Sequence, residues 1–188
     1  MLILASSAKH RQELLEQVNI SVDKLIPADI DETILKKETP NAYVQRLAIA
    51  KAEAVHKNNK DAFVIGADTI VCAGKKIILK TMTDNDERKA LDLISGRKVN
   101  VITGYCVIAP DGRKSVRYVK TSTTMKRMTA QEKEEYVKTK EWVGISGGMC
   151  IEGVGAKFIK GINGSYANIV GLCPYSVNNM LVGLGYKK

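Results

Sequence analysis

Asp68 is the first residue whose position invites chemistry. It closes the apolar run Phe63-Val-Ile-Gly-Ala, after two small residues that let another group approach closely. An acid at a strand end suits a metal ligand or a general base, and ligands in open α/β sheets favour the carboxyl ends of strands. A turn-capping aspartate is the competing reading. Lys51 is the second candidate. On a helix over residues 40–56, with about 100° per residue, Tyr43, Val44, Leu47, Ala48 and Val55 form one apolar stripe and Lys51 falls near its centre. A lysine there either snorkels to water or meets a negative charge.

The turn Ser6-Ser7-Ala8-Lys9-His10-Arg11 leads from a short strand into a helix. Such a helix start presents free backbone N–H groups that favour anions, and its cations oppose the helix dipole unless an anion compensates them. A phosphate site and an ordinary helix cap with solvated cations both remain open. The stretch ADIDET carries Asp29, Asp31 and Glu32, oxygen donors suited to magnesium but equally at home in a solvated loop. Lys80, ending the apolar run Ile77-Ile78-Leu79, is ambiguous in the same way. Glu132, Glu134 and Glu135 read as a solvated helix face. Cations that clamp a polyphosphate, with carboxylates that hold a divalent ion and activate water, would be phosphoryl chemistry, which needs positioning and charge neutralisation. No GxxxxGK[ST] loop occurs, which excludes a P-loop enzyme at motif level.

The elements that must position these residues alternate. The pattern predicts a buried strand over 2–5, capping hydroxyls at Ser6-Ser7, and a helix bearing Leu14, Leu15 and Val18. Residues 19–39 read as irregular, and Pro40-Asn41 opens the Lys51 helix. A strand from Phe63 runs through Asp68 to Cys72, turns at Ala73-Gly74 and returns over 76–79. A helix over 84–94 ends at Ser95-Gly96. Strands over 99–109 and 113–125 flank the hairpin signal Asp111-Gly112. A helix near 130–138, strand-like 156–160 and 165–170, and a last helix over 175–184 complete the pattern. The class is α/β with a mixed sheet, since both hairpin and crossover connections occur.

The chain has 188 residues, 45% hydrophobic and 26% charged, the balance of a single globular domain over 1–188. Its 29 Lys+Arg against 20 Asp+Glu leave a net charge of +9, which suits an anionic partner. Aromatic content of 5% argues against the stacking platforms of a single-strand nucleic-acid binder, so no stable nucleic-acid partner is expected. No apolar run approaches the roughly 20 residues of a membrane-spanning helix. The N-terminus lacks the basic and apolar regions of a signal peptide, so a cytoplasmic protein is expected. Cys72, Cys106, Cys150 and Cys173 form no CxxC pair and read as buried free thiols.

Taken in order, the motifs resemble those of the Maf family of nucleoside triphosphate pyrophosphatases. LILASSAKHRQELL is similar to that family's LILAS-x-S-P-R-R-x-ELL, and RLAIAKAEAV to its LA-x-x-KA-x-AV helix. VIGADTIV, ISGRKVNVITG and CIEGVGAKFIKGINGSYANIVGL follow its GADT, SGR-x-H-x-V-x-TG and late glycine-rich segments. The resemblance implies a strongly bent mixed sheet with flanking helices and two lobes around a central cleft, as in inosine triphosphatases. It implies metal-dependent hydrolysis of a nucleoside triphosphate to the monophosphate and pyrophosphate, with magnesium or manganese as cofactor and a homodimer as the assembly. It assigns substrate-binding roles to Ser6, Arg11, Lys51 and Lys80, and metal-binding or catalytic roles to Glu32 and Asp68.

The sequence departs from the family pattern at several points. Ala8 replaces a serine, Lys9-His10 replace Pro-Arg, and Val99 replaces a histidine. Ile145, Met149 and Glu152 stand where the family has Lys, Tyr and Gln. Glu152 keeps the expected substrate-binding position, but a carboxylate accepts hydrogen bonds where an amide also donates. A family branch associated with 7-methyl-GTP carries Glu there, whereas SYANIVGL resembles the thymidine and uridine nucleotide branch. These departures motivate an alternative, a nucleotide-binding regulator of cell division with little catalysis. A basic RNA-binding module is a third reading.

Overall fold

The computed structural model describes residues 1–187. Strand β1 (Leu2–Leu4) is fully buried, because parallel neighbours β2 (Lys24–Leu25) and β3 (Phe63–Ala73) flank it on both sides. Strand β3 turns back antiparallel into β4 (Lys76–Ile78). Strands β5 (Lys98–Ile108) and β6 (Lys114–Met125) follow, and β7 (Ile159–Asn163) pairs antiparallel with β6. Together they form one seven-stranded mixed sheet in the order β2-β1-β3-β5-β6-β7, with β4 on β3. The helices are α1 (Lys9–Glu16), α2 (Pro40–His56), α3 (Asp84–Ile94), α4 (Ala130–Thr139), α5 (Tyr166–Val170) and α6 (Pro174–Gly183), with a 3-10 helix at Val154–Phe158. The expected α/β class with a mixed sheet and flanking helices is what forms. No helix among the described residues is long and apolar enough to cross a membrane.

Three expectations need correction. The Ser6-Ser7 hydroxyls do not cap α1: Ala8 takes the cap position without a side-chain bond, and Ser6 Oγ instead accepts from the Ala8 N–H. Val18 lies beyond α1, half-exposed, since the chain leaves the helix ahead of Asn19 at φ +57°. Residues 156–160 begin as the 3-10 helix, and 165–170 are helix α5 rather than strand. There Ser165 Oγ accepts from the Asn168 N–H, and the buried Asn168 amide donates to the Val101 carbonyl and to Thr121 Oγ1. Local side-chain bonding of this kind competes with strand pairing.

The chain divides into two compact units. The first comprises Met1–Thr69, Thr103–Val119 and the chain from Gly171 onward. Its core joins Ile3 and Ala5 of the β1 segment, Ala48, Ala52 and Val55 of α2, Val64 of β3, and Cys106 and Ile108 of β5. Thr39 caps α2 by accepting from the Ala42 N–H, with Pro40 at the first helical position, where its missing N–H costs nothing.

The second unit comprises Ile70–Ile102 and Lys120–Val170. Its core gathers Leu91 and Ile94 of α3, Tyr136 and Val137 of α4, Trp142 and Phe158. Helices α3 and α4 are further linked by ion pairs Arg88–Glu134, Lys133–Asp92 and Lys140–Asp84. The Glu141 carboxylate accepts from the Val154 and Gly155 N–H groups, tying down the start of the 3-10 helix. Glu87 of α3 is fully buried in this unit, and among the described residues neither carboxyl oxygen has a partner at hydrogen-bond geometry. A Cβ on Gly148, whose φ is +68°, would lie 2.0 Å from Glu87 Oε2, so the carboxyl occupies space that only a glycine leaves. Burial pushes the Glu87 carboxyl up to about 7, against a smaller opposing effect of the Thr81 hydroxyl.

Candidate active site

Asp68, expected at a strand end, lies in the middle of β3, where the strand changes character but continues to Ala73. Residues Val64–Asp68 are buried in succession, whereas Thr69–Ala73 alternate between buried and partly exposed. The Asp68 side chain points to the same face as Gly66, two residues earlier. Against that face lies α2, with its backbone almost on the sheet. A Cβ on Gly66 would lie 2.1 Å from the Ala48 carbonyl oxygen and 2.8 Å from the Ala52 nitrogen. On the neighbouring strand β5, a Cβ on Gly104 would lie 2.2 Å from the Val44 carbonyl oxygen. Two glycines on adjacent strands therefore seat α2 closely enough for Lys51 to reach Asp68.

Lys51 Nζ lies 2.6 Å from Asp68 Oδ1 and 2.6 Å from Glu32 Oε1. The stripe position of Lys51 resolves into a paired charge. Side-chain exposure is 12% for Lys51 and 11% for Asp68, but 48% for Glu32, so the triad is closed on the Asp68 side and open to solvent on the Glu32 side.

Arg11, to which the resemblance assigns substrate binding, makes four hydrogen bonds to protein groups. Its Nε donates to the Gly171 carbonyl, Nη1 to Ser6 Oγ and the Ala67 carbonyl, and Nη2 to Thr69 Oγ1, at 3.0–3.3 Å. A guanidinium has five N–H donors, and these four bonds leave at most one for a ligand. Burial pushes Arg11 below its ordinary value, while Asp68, Tyr105 and Glu32 pull it upward. The side chain thus ties the Ser6 turn to the two residues flanking Asp68. Thr69 Oγ1 also bonds to Thr103 Oγ1 at 3.0 Å and donates to the Gly171 carbonyl at 3.2 Å.

Of the residues singled out from sequence, Ser6, Arg11, Glu32, Lys51 and Asp68 belong to the first unit and come together there. Lys80 and Glu152 belong to the second unit, and both are exposed. Lys80 forms an isolated bridge with Ser146, and Glu152 lies in the turn before the 3-10 helix. Asp29 is exposed, and Asp31 Oδ1 accepts from the Thr33 N–H at 2.8 Å.

Sequence reasoning missed Tyr43 and Arg46. The Tyr43 hydroxyl donates to the Glu32 carbonyl at 2.7 Å, and Arg46 donates to the Thr33 carbonyl at 2.9 Å. Tyr43 was counted only as apolar, although a buried phenol normally finds a polar partner. Burial, with Asp68 and Glu32 nearby, pushes its hydroxyl up to about 12, so it remains a donor at neutral pH.

A mixed α/β sheet carries, in the middle of β3, an aspartate that shares one ammonium with a second carboxylate. The chain belongs to the Maf family: its sequence matches the family described as Maf-like protein over residues 1–184. A dTTP/UTP pyrophosphatase of Caulobacter vibrioides is 43% identical over 186 residues, covering 99% of this chain and 96% of that protein. A nucleoside triphosphate pyrophosphatase of Ehrlichia canis is 43% identical over 180 residues, covering 96% and 94%. Among solved structures, the Ham1 protein of Staphylococcus aureus matches 66% of this chain and 71% of its own, with 18% identity and a TM-score of 0.48.

Proposed function

We propose that this chain hydrolyses nucleoside triphosphates to the monophosphate and pyrophosphate, with dTTP and UTP as preferred substrates. The observation that carries the reading is the Lys51 ammonium held at 2.6 Å from both Glu32 and Asp68, in a chain whose relatives bear the names given above. Those names also favour the thymidine and uridine branch over 7-methyl-GTP.

The donor set fits a divalent cation. Glu32 and Asp68 bring two carboxylates together on the Lys51 ammonium, and a divalent cation would share those carboxylates with it, since magnesium is commonly held by one or two carboxylates with water and phosphate oxygens completing its shell. A bound magnesium or manganese supplies positive charge to the triphosphate. The chain's own groups do the rest. Asp68 gives Oδ1 to Lys51, which leaves Oδ2 to accept the proton of a water attacking the α-phosphorus. The bond from that phosphorus to the bridging oxygen breaks, and pyrophosphate leaves with the bonding electrons. Lys51 offsets the charge of the carboxylates and of the phosphates. Arg11 holds Ser6 in place and adds positive charge at the turn. The roles of Lys80 and Glu152 in substrate binding rest on family membership, as does the homodimer.

The test is pyrophosphate release from dTTP, UTP, 7-methyl-GTP and the common nucleotides, with magnesium or manganese, in the wild type and Asp68→Asn. Turnover of dTTP and UTP that Asp68→Asn abolishes is the expected result. Tight nucleotide binding without turnover would overturn it in favour of the regulator of cell division.

A further inference from the structure

The segment that delivers Glu32 is held by polar bonds rather than by burial. Residues 31–37 are all exposed, including Ile34 and Leu35, at 40% and 54%. They form no regular element. Segments with so few buried apolar contacts occupy the low-stability end of a fold. Glu32 nevertheless meets Lys51 at 2.6 Å. The fixing bonds come from α2. The Tyr43 hydroxyl donates to the backbone carbonyl of Glu32 itself, and Arg46 Nη2 donates to the carbonyl of the next residue, Thr33. Arg46 also grips Glu38 in a two-point pair, Nε to Oε1 at 2.7 Å and Nη2 to Oε2 at 2.9 Å, and Glu38 in turn accepts from the Leu35 N–H. The guanidinium lies 5.4 Å from the centre of the Tyr43 ring, so the two side chains support one another.

We infer that Tyr43 and Arg46 are positioning residues: they latch the 31–38 segment to α2 and thereby set the affinity of the Glu32–Asp68 pair for a divalent cation. The inference rests on the reading of Glu32 and Asp68 as the metal-facing carboxylates. Helix α2 then supplies both the ammonium between the carboxylates and the two side chains that keep one of them there. Both latch residues act on the backbone carbonyls of the segment rather than on the Glu32 carboxylate. Their loss leaves both carboxylates and Lys51 intact but lets Glu32 sample positions away from them, which lowers the population able to bind the cation.

The experiment uses Tyr43→Phe and Arg46→Gln in the full chain, with manganese alone as the probe. Three readouts are taken: amide hydrogen exchange over residues 31–38, the manganese dissociation constant by electron paramagnetic resonance, and turnover of dTTP against manganese concentration. One lost neutral hydrogen bond predicts manganese binding about threefold to tenfold weaker in Tyr43→Phe, and Arg46, with its three bonds to Thr33 and Glu38, predicts a loss at least as large. Exchange at Thr33 and Leu35 should quicken in both. Turnover should fall at low manganese and recover at saturating manganese, which a general loss of folded protein would not do. Manganese affinity equal to the wild type, with or without faster exchange, overturns the latch, as does a turnover defect that saturating manganese leaves in place. A wild type that binds manganese as expected but does not hydrolyse dTTP refutes the proposed activity instead, and leaves the latch to be judged on exchange and affinity.

Discussion

The contact between Gly66 and α2 makes a prediction that joins the fold to the chemistry. In Gly66→Ala the new methyl would lie 2.1 Å from the Ala48 carbonyl oxygen and 2.9 Å from the Ala52 Cβ. Non-bonded carbon and oxygen need more than 3 Å, so the helix or the strand must yield by about 1 Å. The neighbouring atoms are helix backbone, so no side chain can swing aside. Overpacking of this kind costs about 1–3 kcal/mol, which for a chain of this length lowers the melting temperature by roughly 3–10 °C. The same retreat draws Lys51 away from Asp68 at the other end of its 2.6 Å bond. A displacement of that size in a positioning group costs on the order of 10²-fold in turnover. Thermal melts and pyrophosphate release, assayed well below the melting temperature, check the two effects separately. Gly183→Ala is the control, since nothing lies within 4 Å of its added Cβ. A Gly66→Ala protein that is destabilised yet fully active when folded would refute the link from that contact to the Lys51–Asp68 pair, and one that melts like the wild type would refute the close approach itself.

Two further outcomes follow from charge. In Lys51→Met, the Glu32 and Asp68 carboxylates lose their shared cation; turnover should fall by on the order of 10²-fold or more. Stability should drop by about 2 kcal/mol, less than for a fully buried pair because Glu32 is 48% exposed; full turnover in this variant would refute the role given to the ammonium. Glu87 predicts a pH dependence: its carboxyl is raised from 4.5 to about 7 in the folded protein, so the folded state holds the proton more tightly and stability is lost as pH rises through that window. The loss is at most about 3 kcal/mol, and Glu87→Gln, always neutral, should melt with little change between pH 5 and pH 8; a wild type equally flat over that range would show that the buried carboxyl is not what this geometry makes it.

Much of the site was legible because two independent patterns met. The apolar stripe on α2 marked Lys51 as a cation that either snorkels to water or meets an anion, and the small residues before Asp68 marked either a turn cap or an acid with room for a neighbour. The structure joins them. The bounds of α2 were equally readable, since Thr39-Pro40 combine a cap with a residue suited to the first helical turn. Arg11 was not legible in the same way. Its sequence position announces a cation near a helix start, but its partners are carbonyls and hydroxyls contributed by the Ala67, Thr69 and Gly171 segments, far away along the chain. No local pattern reveals how many of a guanidinium's donors the fold will use. Arg46 was hidden for a related reason, because its grip on Thr33 and Glu38 depends on the path of an irregular segment.

Glu87 is the instructive contrast with Lys51. At helical spacing it shares a face with Ala90, Leu91 and Ile94, all buried, so the same stripe argument applies to both charges. In Asn85-Asp86-Glu87-Arg88-Lys89 the surrounding polar residues disguise it as part of a solvated face. Both side chains are carried into the protein by apolar neighbours, and their fates diverge with what waits there. Lys51 meets two carboxylates and keeps a partnered charge beside solvent. Glu87 meets the backbone of Gly148, and burial without a hydrogen-bond partner among the described residues raises its carboxyl to about 7. A charged residue on an apolar stripe therefore marks a place where the fold must answer a cost. Whether the answer is a paired charge or an acid that holds its proton more tightly is decided by the chemistry of the opposing segment.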